Sequence, residues 1–255
     1  MNKIVLLGAF SVLVASGCRK DEPVPAPAAP APAMVRFTVA PMWNGVPFDK
    51  STVYQNISEE RIQLQLLKLY LGDVSLFTAG GDSAAIFDVD HFKLTDGAVS
   101  RTYAAAEGTY ADVRVGLGVP AALNGMSSTV WYDYEPLSTV NGMYWSWATM
   151  YRFMIFEGRY DTLATNTGTP PYQFSIHTGR NECYRLRSFA QQITVTAGDT
   201  TDLRLELDLA RFFYSTSDTL YMATESQQHG SIEELPMSEK FSDMVMAAMS
   251  VELTP

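Results

Sequence analysis

Apolar and polar residues alternate with period two along most of this chain. Val35, Phe37 and Val39 alternate with Arg36 and Thr38, and Val113, Val115, Leu117 and Val119 alternate with Arg114, Gly116 and Gly118. The clearest case sets Leu203, Leu205, Leu207 and Leu209 against Arg204, Glu206 and Asp208. Successive side chains of a strand point to opposite faces, so each run predicts a half-buried strand. Ile62, Leu64 and Leu66 alternate with Arg61, Gln63 and Gln65, and then Leu67, Leu69 and Leu71 take over. One extra residue exchanges the two faces, so the slip predicts a bulge inside one long strand. Shorter runs at 85–89, 151–156, 174–177 and 193–196 fit the same scheme. Gly80-Gly81, Thr95-Asp96-Gly97 and Thr169-Pro170-Pro171 read as the turns between them.

Helical spacing stands out once. From Pro236 onward, Phe241, Met244, Val245, Ala248 and Met249 fall on one face, with Ser238 or Ser242 available as caps. Many short strands and a single late helix predict an all-β fold, an antiparallel sandwich or barrel-like domain with one C-terminal helix, over residues 34–255. Hydrophobic content of 47% supplies a full core for a domain of that size. No repeat of fixed period is visible.

The first residues follow a different logic. Lys3 gives a basic start, Ile4 to Val14 is uncharged, and Ala15-Ser16-Gly17 is a small-residue cleavage site. Residues 1–17 therefore read as a secretory signal peptide, too short for the ~20 apolar residues of a spanning helix. Cys18 directly after Ala-Ser-Gly resembles a lipobox cysteine, which implies lipidation at Cys18 and attachment to a membrane surface by buried acyl chains. Residues 18–33 form a Pro/Ala-rich tether that favours polyproline geometry. At ~3.1 Å per residue it would lift the domain roughly 40–50 Å. The Lys20-Asp21-Glu22 run resembles a surface-export signal, and equally suits a solvated tether. The expected location is the outer membrane, on its periplasmic face or at the cell surface. Net charge is −10, or −11 once Lys3 leaves with the signal, which argues against nucleic acid as a partner. With Cys18 lipidated, Cys183 has no disulfide partner and is either a buried thiol or a metal ligand.

Signatures of catalysis are absent: there is no Gly-x-Ser-x-Gly elbow, phosphate-binding glycine loop, His-Glu-x-x-His or Cys-x-x-Cys, and the expectation is a protein that is not an enzyme. The most unusual stretch is Asn141 to Gly158, NGMYWSWATMYRFMIFEG. It resembles the central motif of the MbnP-like family of periplasmic or surface copper-binding proteins. Leu66–Leu76 (LLKLYLGDVSL), Val113–Pro120 followed by Asn124, and Tyr172–Gly179 (YQFSIHTG) resemble further segments of that family, in the same order. The resemblance implies copper as the bound group, held between histidines and an oxidised tryptophan. It also implies a dihaem, cytochrome c peroxidase-like enzyme as the partner that converts the tryptophan. His177 matches the histidine of the family strand. The Trp-x-His or His-x-Trp spacing expected around a modified tryptophan does not occur, and Met150 stands where the family usually has glycine.

Metal candidates are few. His177 leads, with His91, after Asp88-Val89-Asp90, and His229, in Gln227-Gln228-His229-Gly230, as the others. Neutral imidazole is a common copper donor. Tyr144, Trp145 and Trp147 are most simply core and turn aromatics, and Met237, Met244, Met246 and Met249 at helical spacing read as packing. The alternative function is a metal-free recognition module that binds a partner or glycan through Trp131, Tyr132 and Tyr134. Geometry separates the readings: two imidazoles sharing a copper must lie within about 4 Å of one another, because metal–nitrogen bonds are ~2 Å.

Overall fold

The alternating runs build two facing sheets, seen in a computed structural model that describes residues 31–146 and 149–254. The expected signal peptide, Cys18 and most of the expected tether lie outside the described residues, as does Trp147. In chain order the main strands are β1 (Ala33–Trp43), β2 (Arg61–Phe77), β3 (Ser83–Lys93), β4 (Val99–Ala105) and β5 (Gly108–Leu117). Then follow β6 (Met150–Asp161), β7 (Tyr172–Gly179), β8 (Arg185–Val195), β9 (Thr200–Asp208) and β10 (Met249–Leu253), with helix α1 (Leu235–Ala247) before the last. Among the described residues no helix is long and apolar enough to cross a membrane.

The first sheet runs β10-β9-β1, with β4 on the other edge of β1. Its pairs are antiparallel except β1 with β9, which are parallel from Met34 opposite Thr200 to Met42 opposite Asp208. The second sheet runs β8-β5-β2-β6-β7 and stays open, so the fold is a sandwich and not a closed barrel. The long β2 organises it. One edge of β2 pairs with β6 through Arg61–Leu69 and with β5 through Leu71–Phe77, while the other edge pairs with β3. The predicted slip is present: the register shifts between Leu64 and Leu66, leaving Gln65 exposed and returning Leu67 and Leu69 to the core. A second shift follows at Asp73, which adopts φ 49°.

Between the sheets lie Val35, Phe37, Val39, Leu203, Leu205 and Leu207 from one side and Ile62, Leu64, Leu67, Val113, Phe156 and Phe174 from the other. Helix α1 packs Phe241, Met244 and Val245 into this core, and of the four methionines Met244, Met246 and Met249 are buried in it while Met237 packs partly against it. The capping expectation fails. Glu234 is the cap position, and Ser238 and Ser242 are buried within the helix, Ser242 Oγ donating to Ser238 O at 2.8 Å. Met249 leaves the helical face and starts β10.

The second sheet is buried on its outer face too. There Tyr70, Tyr151, Phe153 and Ile155 pack with Val119, Leu137 and Met143 from the covering 119–145 segment, and with Cys183, a fully buried free thiol. Strand β6 sends Met154 and Phe156 to one core and Tyr151, Phe153 and Ile155 to the other. A strand covered on both faces reads as an unbroken apolar run, which accounts for Phe153–Phe156.

Candidate metal centre

The outer core ends in a polar pocket built by the β6–β7 register. Ile155 pairs with His177 and Glu157 with Ser175, so Glu157, Ser175 and His177 share the covered face. Glu157 Oε1 lies 2.6 Å from His177 Nε2 and accepts a hydrogen bond from Ser175 Oγ at 3.3 Å, while Ser175 Oγ is 3.1 Å from Nε2. The His177 ring is 4% exposed and its Nδ1 is buried with no hydrogen-bond partner. Burial holds His177 below the ordinary histidine value even though Glu157 pulls the other way, so the imidazole is neutral near pH 7. The hydrogen bond from His177 in turn lowers the Glu157 carboxyl.

His229 arrives by a different device. Gln227–Gln228 form a two-residue strand parallel to β7, with Ser175 opposite Gln227 and Ile176 opposite Gln228. The next step of that register brings His229 beside His177, and their ring centroids are 5.2 Å apart at an interplanar angle of 85°. His229 itself is exposed. Its segment is clamped from behind. The Glu234 carboxylate accepts the His229 N–H at 3.1 Å and the Ser231 N–H at 2.9 Å. The buried Gln228 amide donates to Glu234 O at 2.9 Å and to Ser238 Oγ, and Arg180 Nε donates to Gly230 O at 3.1 Å. Gly230 has φ 73° and a Cβ there would meet Thr149 Cγ2 at 2.5 Å, so only glycine lets the chain pass this close.

Trp145 forms the third wall. It belongs to a two-residue strand, Tyr144–Trp145, paired with Tyr151 and Met150. Its ring centroid is 5.1 Å from that of His177 and 6.1 Å from that of His229, nearly parallel to the latter at 22°. The Arg152 guanidinium sits 4.4 Å from the centre of the indole and donates to Gly142 O, tying the Trp145 hairpin to β6. Met150, in the place of the family glycine, holds φ 62° at this turn, so the backbone keeps a glycine-like conformation under a larger side chain.

These dimensions suit a shared ion. The limit of about 4 Å applies to the two ligating nitrogens; with metal–nitrogen bonds of ~2 Å a ring centroid lies about 3.2 Å from the metal, so the same limit expressed between centroids is roughly 4.5–6.4 Å. The 5.2 Å separation falls inside that window, and His177 Nδ1 is a buried nitrogen without a partner. Among the described residues no three His, Cys, Asp or Glu side chains converge on one point. The ion would therefore rest on two histidines beside an indole, and not on a closed cage of acids and imidazoles.

His91 is not part of this group. It pairs with Tyr70 across β2–β3 and lies on the same outer face, but three strand spacings, about 14 Å, separate it from β7. Its ring packs on Tyr70 at 5.5 Å. Burial, then the charges of Lys68 and Arg101, push its pKa down to about 4, as suits an uncharged core imidazole. The sequence singled out His177 and His229 but took Trp145 for packing and overlooked Glu157, Ser175 and Glu234. Glu157 had one legible signal. It keeps the phase of Ile155 on β6, as Ser175 keeps that of His177 on β7, and only the pairing register joins the two pairs.

Comparison with known proteins agrees with the sequence motifs. The model of the MbnP family matches residues 32–232, a span that takes in Trp145, Glu157, His177 and His229. Among solved structures, MbnP from Methylosinus trichosporium is similar at 17% identity, covering 75% of this chain and 80% of that one, with a TM-score of 0.45. No curated protein matches the chain. On the strength of the family match over most of its length, the chain belongs to the MbnP family.

Proposed function

We propose that this protein is a lipid-anchored, extracytoplasmic copper-binding protein that sequesters or delivers the metal and catalyses no reaction. The observation that carries the proposal is the meeting of His177 and His229, ring centroids 5.2 Å apart, against Trp145. Imidazole suits copper in either oxidation state, and a neutral ring is the ligating form. In this reading copper is cargo held by His177 and His229. The exposure of His229 gives a partner access to the ion, while burial of His177 secures it. Trp145, whose ring touches both histidines, is the residue on which a dihaem, cytochrome c peroxidase-like partner would act. Cys18 supplies the anchor to the outer membrane, and residues 18–33 the tether.

The test is metal content and Cu(I) and Cu(II) binding of the segment from Ala31 onward, which forms one compact unit, beside His177→Ala and His229→Ala. One copper per chain, lost in both variants, is the expected result. No copper in the parent segment would sink the proposal. The anchor has its own test: Cys18→Ser should move the protein from the membrane to the soluble fraction.

One observation favours a second reading, recognition by aromatic contact. Tyr132 and Tyr134 are 68% and 83% exposed, and their rings stack at 5.6 Å and 9° on the segment that covers the outer core. Loss of binding to a glycan or protein partner in Tyr132→Ala/Tyr134→Ala, with copper binding intact, would assign that surface to recognition.

A further inference from the structure

We propose that Glu157 is a positioning residue that holds His177 in its Nε2–H tautomer and so leaves Nδ1 as an unprotonated donor. The proposal rests on the copper reading for its use, but the tautomer itself does not.

The argument is one of hydrogen-bond bookkeeping around a buried ring. A separation of 2.6 Å between Glu157 Oε1 and His177 Nε2 requires a proton between them. Were Nε2 bare, its lone pair would face a carboxylate oxygen at that distance, and the contact would be repulsive. Ser175 reinforces the arrangement. Its hydroxyl donates to Glu157 Oε1, leaving its own lone pairs toward the Nε2–H 3.1 Å away. At the other end of the ring, Nδ1 is buried and has no partner. A proton on Nδ1 would leave that buried N–H without an acceptor and at the same time strip Nε2 of the proton its contact with Glu157 requires. Both ends of the ring therefore select the same neutral tautomer.

The surroundings keep Glu157 an acceptor. Glu157 is partly exposed and lines an open groove between Gln65, Gln173 and Gln227, where a carboxylate in contact with water is ionised at neutral pH and can only accept. A carboxylate behind a ligating histidine fixes ring orientation and raises donor strength, and loss of such a partner typically weakens metal binding 10–100-fold. The pairing of Glu157 with Ser175 across β6 and β7, one step from His177, builds this support into the strand register. It needs no loop to carry it.

The experiment is nitrogen-15 NMR of histidine-labelled, metal-free segment from Ala31, which reads the protonation of each ring nitrogen directly, with copper titrations alongside. The parent protein should show His177 with Nε2 protonated and Nδ1 bare. Glu157→Gln retains a carbonyl that can accept the same N–H and should keep the tautomer. Glu157→Leu should admit the Nδ1–H form and weaken copper binding 10–100-fold, with the His91 signals unmoved as the check on folding. An Nδ1–H tautomer in the parent, or a Glu157→Leu variant with unchanged tautomer and affinity, overturns the proposal. A parent with the expected tautomer that takes up no copper would leave Glu157 in its role and remove the copper reading instead.

Discussion

His91 and His177 share one face of the second sheet, and burial keeps both imidazoles uncharged. That has a consequence for stability. A histidine whose folded pKa lies below its unfolded value of about 6.5 is protonated first in the unfolded chain. Its contribution is complete above that value and is lost as pH falls toward the folded pKa. For His91, with a folded value of about 4, the window runs from pH 6.5 to 4 and the loss is roughly 3 kcal/mol. Urea unfolding across that range should show stability falling with acidity, and His91→Leu should flatten the fall. Parallel curves for parent and variant would exclude His91 as the cause. Gly179 gives a second residue-level prediction. A Cβ there would meet Thr149 Cβ at 2.5 Å and Tyr151 O at 2.8 Å. Gly179→Ala should thus cost about 1–3 kcal/mol through overpacking and disturb the fluorescence of the adjoining Trp145 hairpin.

At the scale of elements, the His229 segment depends on helix α1. Gln228 donates to Ser238 Oγ and to Glu234 O, so the short strand is tied to the helix start. Phe241 anchors the helix to the sheets, with ring centroids 5.6 Å from Phe156 and 6.0 Å from Phe212. Phe241→Ala should cost about 3–5 kcal/mol and lower copper affinity, though the residue is remote from any ligand. Unchanged copper affinity at the reduced stability would mean that His229 is held without the helix. The same elements mark where sequence reading stops. Alternation revealed β1, β2, β3, β5, β6, β7, β9 and the end of β8 but missed β4 and β10, and the slip at Gln65 was visible because six apolar positions, from Ile62 to Leu71, surround it in two phases. Tyr144–Trp145 and Gln227–Gln228 were not visible, because two residues carry no period. Both histidines of the site were legible as residue types, but their meeting depends on a parallel register between segments that alternation says nothing about. The misplaced helix caps have a similar origin: Ser238 and Ser242 were assigned by residue type, while their hydroxyls serve a neighbouring strand and the helix interior.

For the molecule as a whole, copper would join two separate segments, β7 and the chain after Gln228, and so should stabilise the fold. At free copper 100-fold above the dissociation constant the gain is about 2.7 kcal/mol. Thermal unfolding should register it in the parent and show none in His177→Ala, and a gain retained there would point to copper held elsewhere. The placement of β1 bears on how the molecule is made. The first strand of the domain is an inner strand of its sheet, flanked by β4 and by β9 from residues 200–208. During synthesis β1 emerges early, yet one of its edges stays open until most of the domain has followed. Pairings so distant in sequence are slow to form, and an unpaired inner strand is prone to join other chains. The first sheet is thus expected to close late, because β1 stays without its β9 neighbour until residues 200–208 have been made.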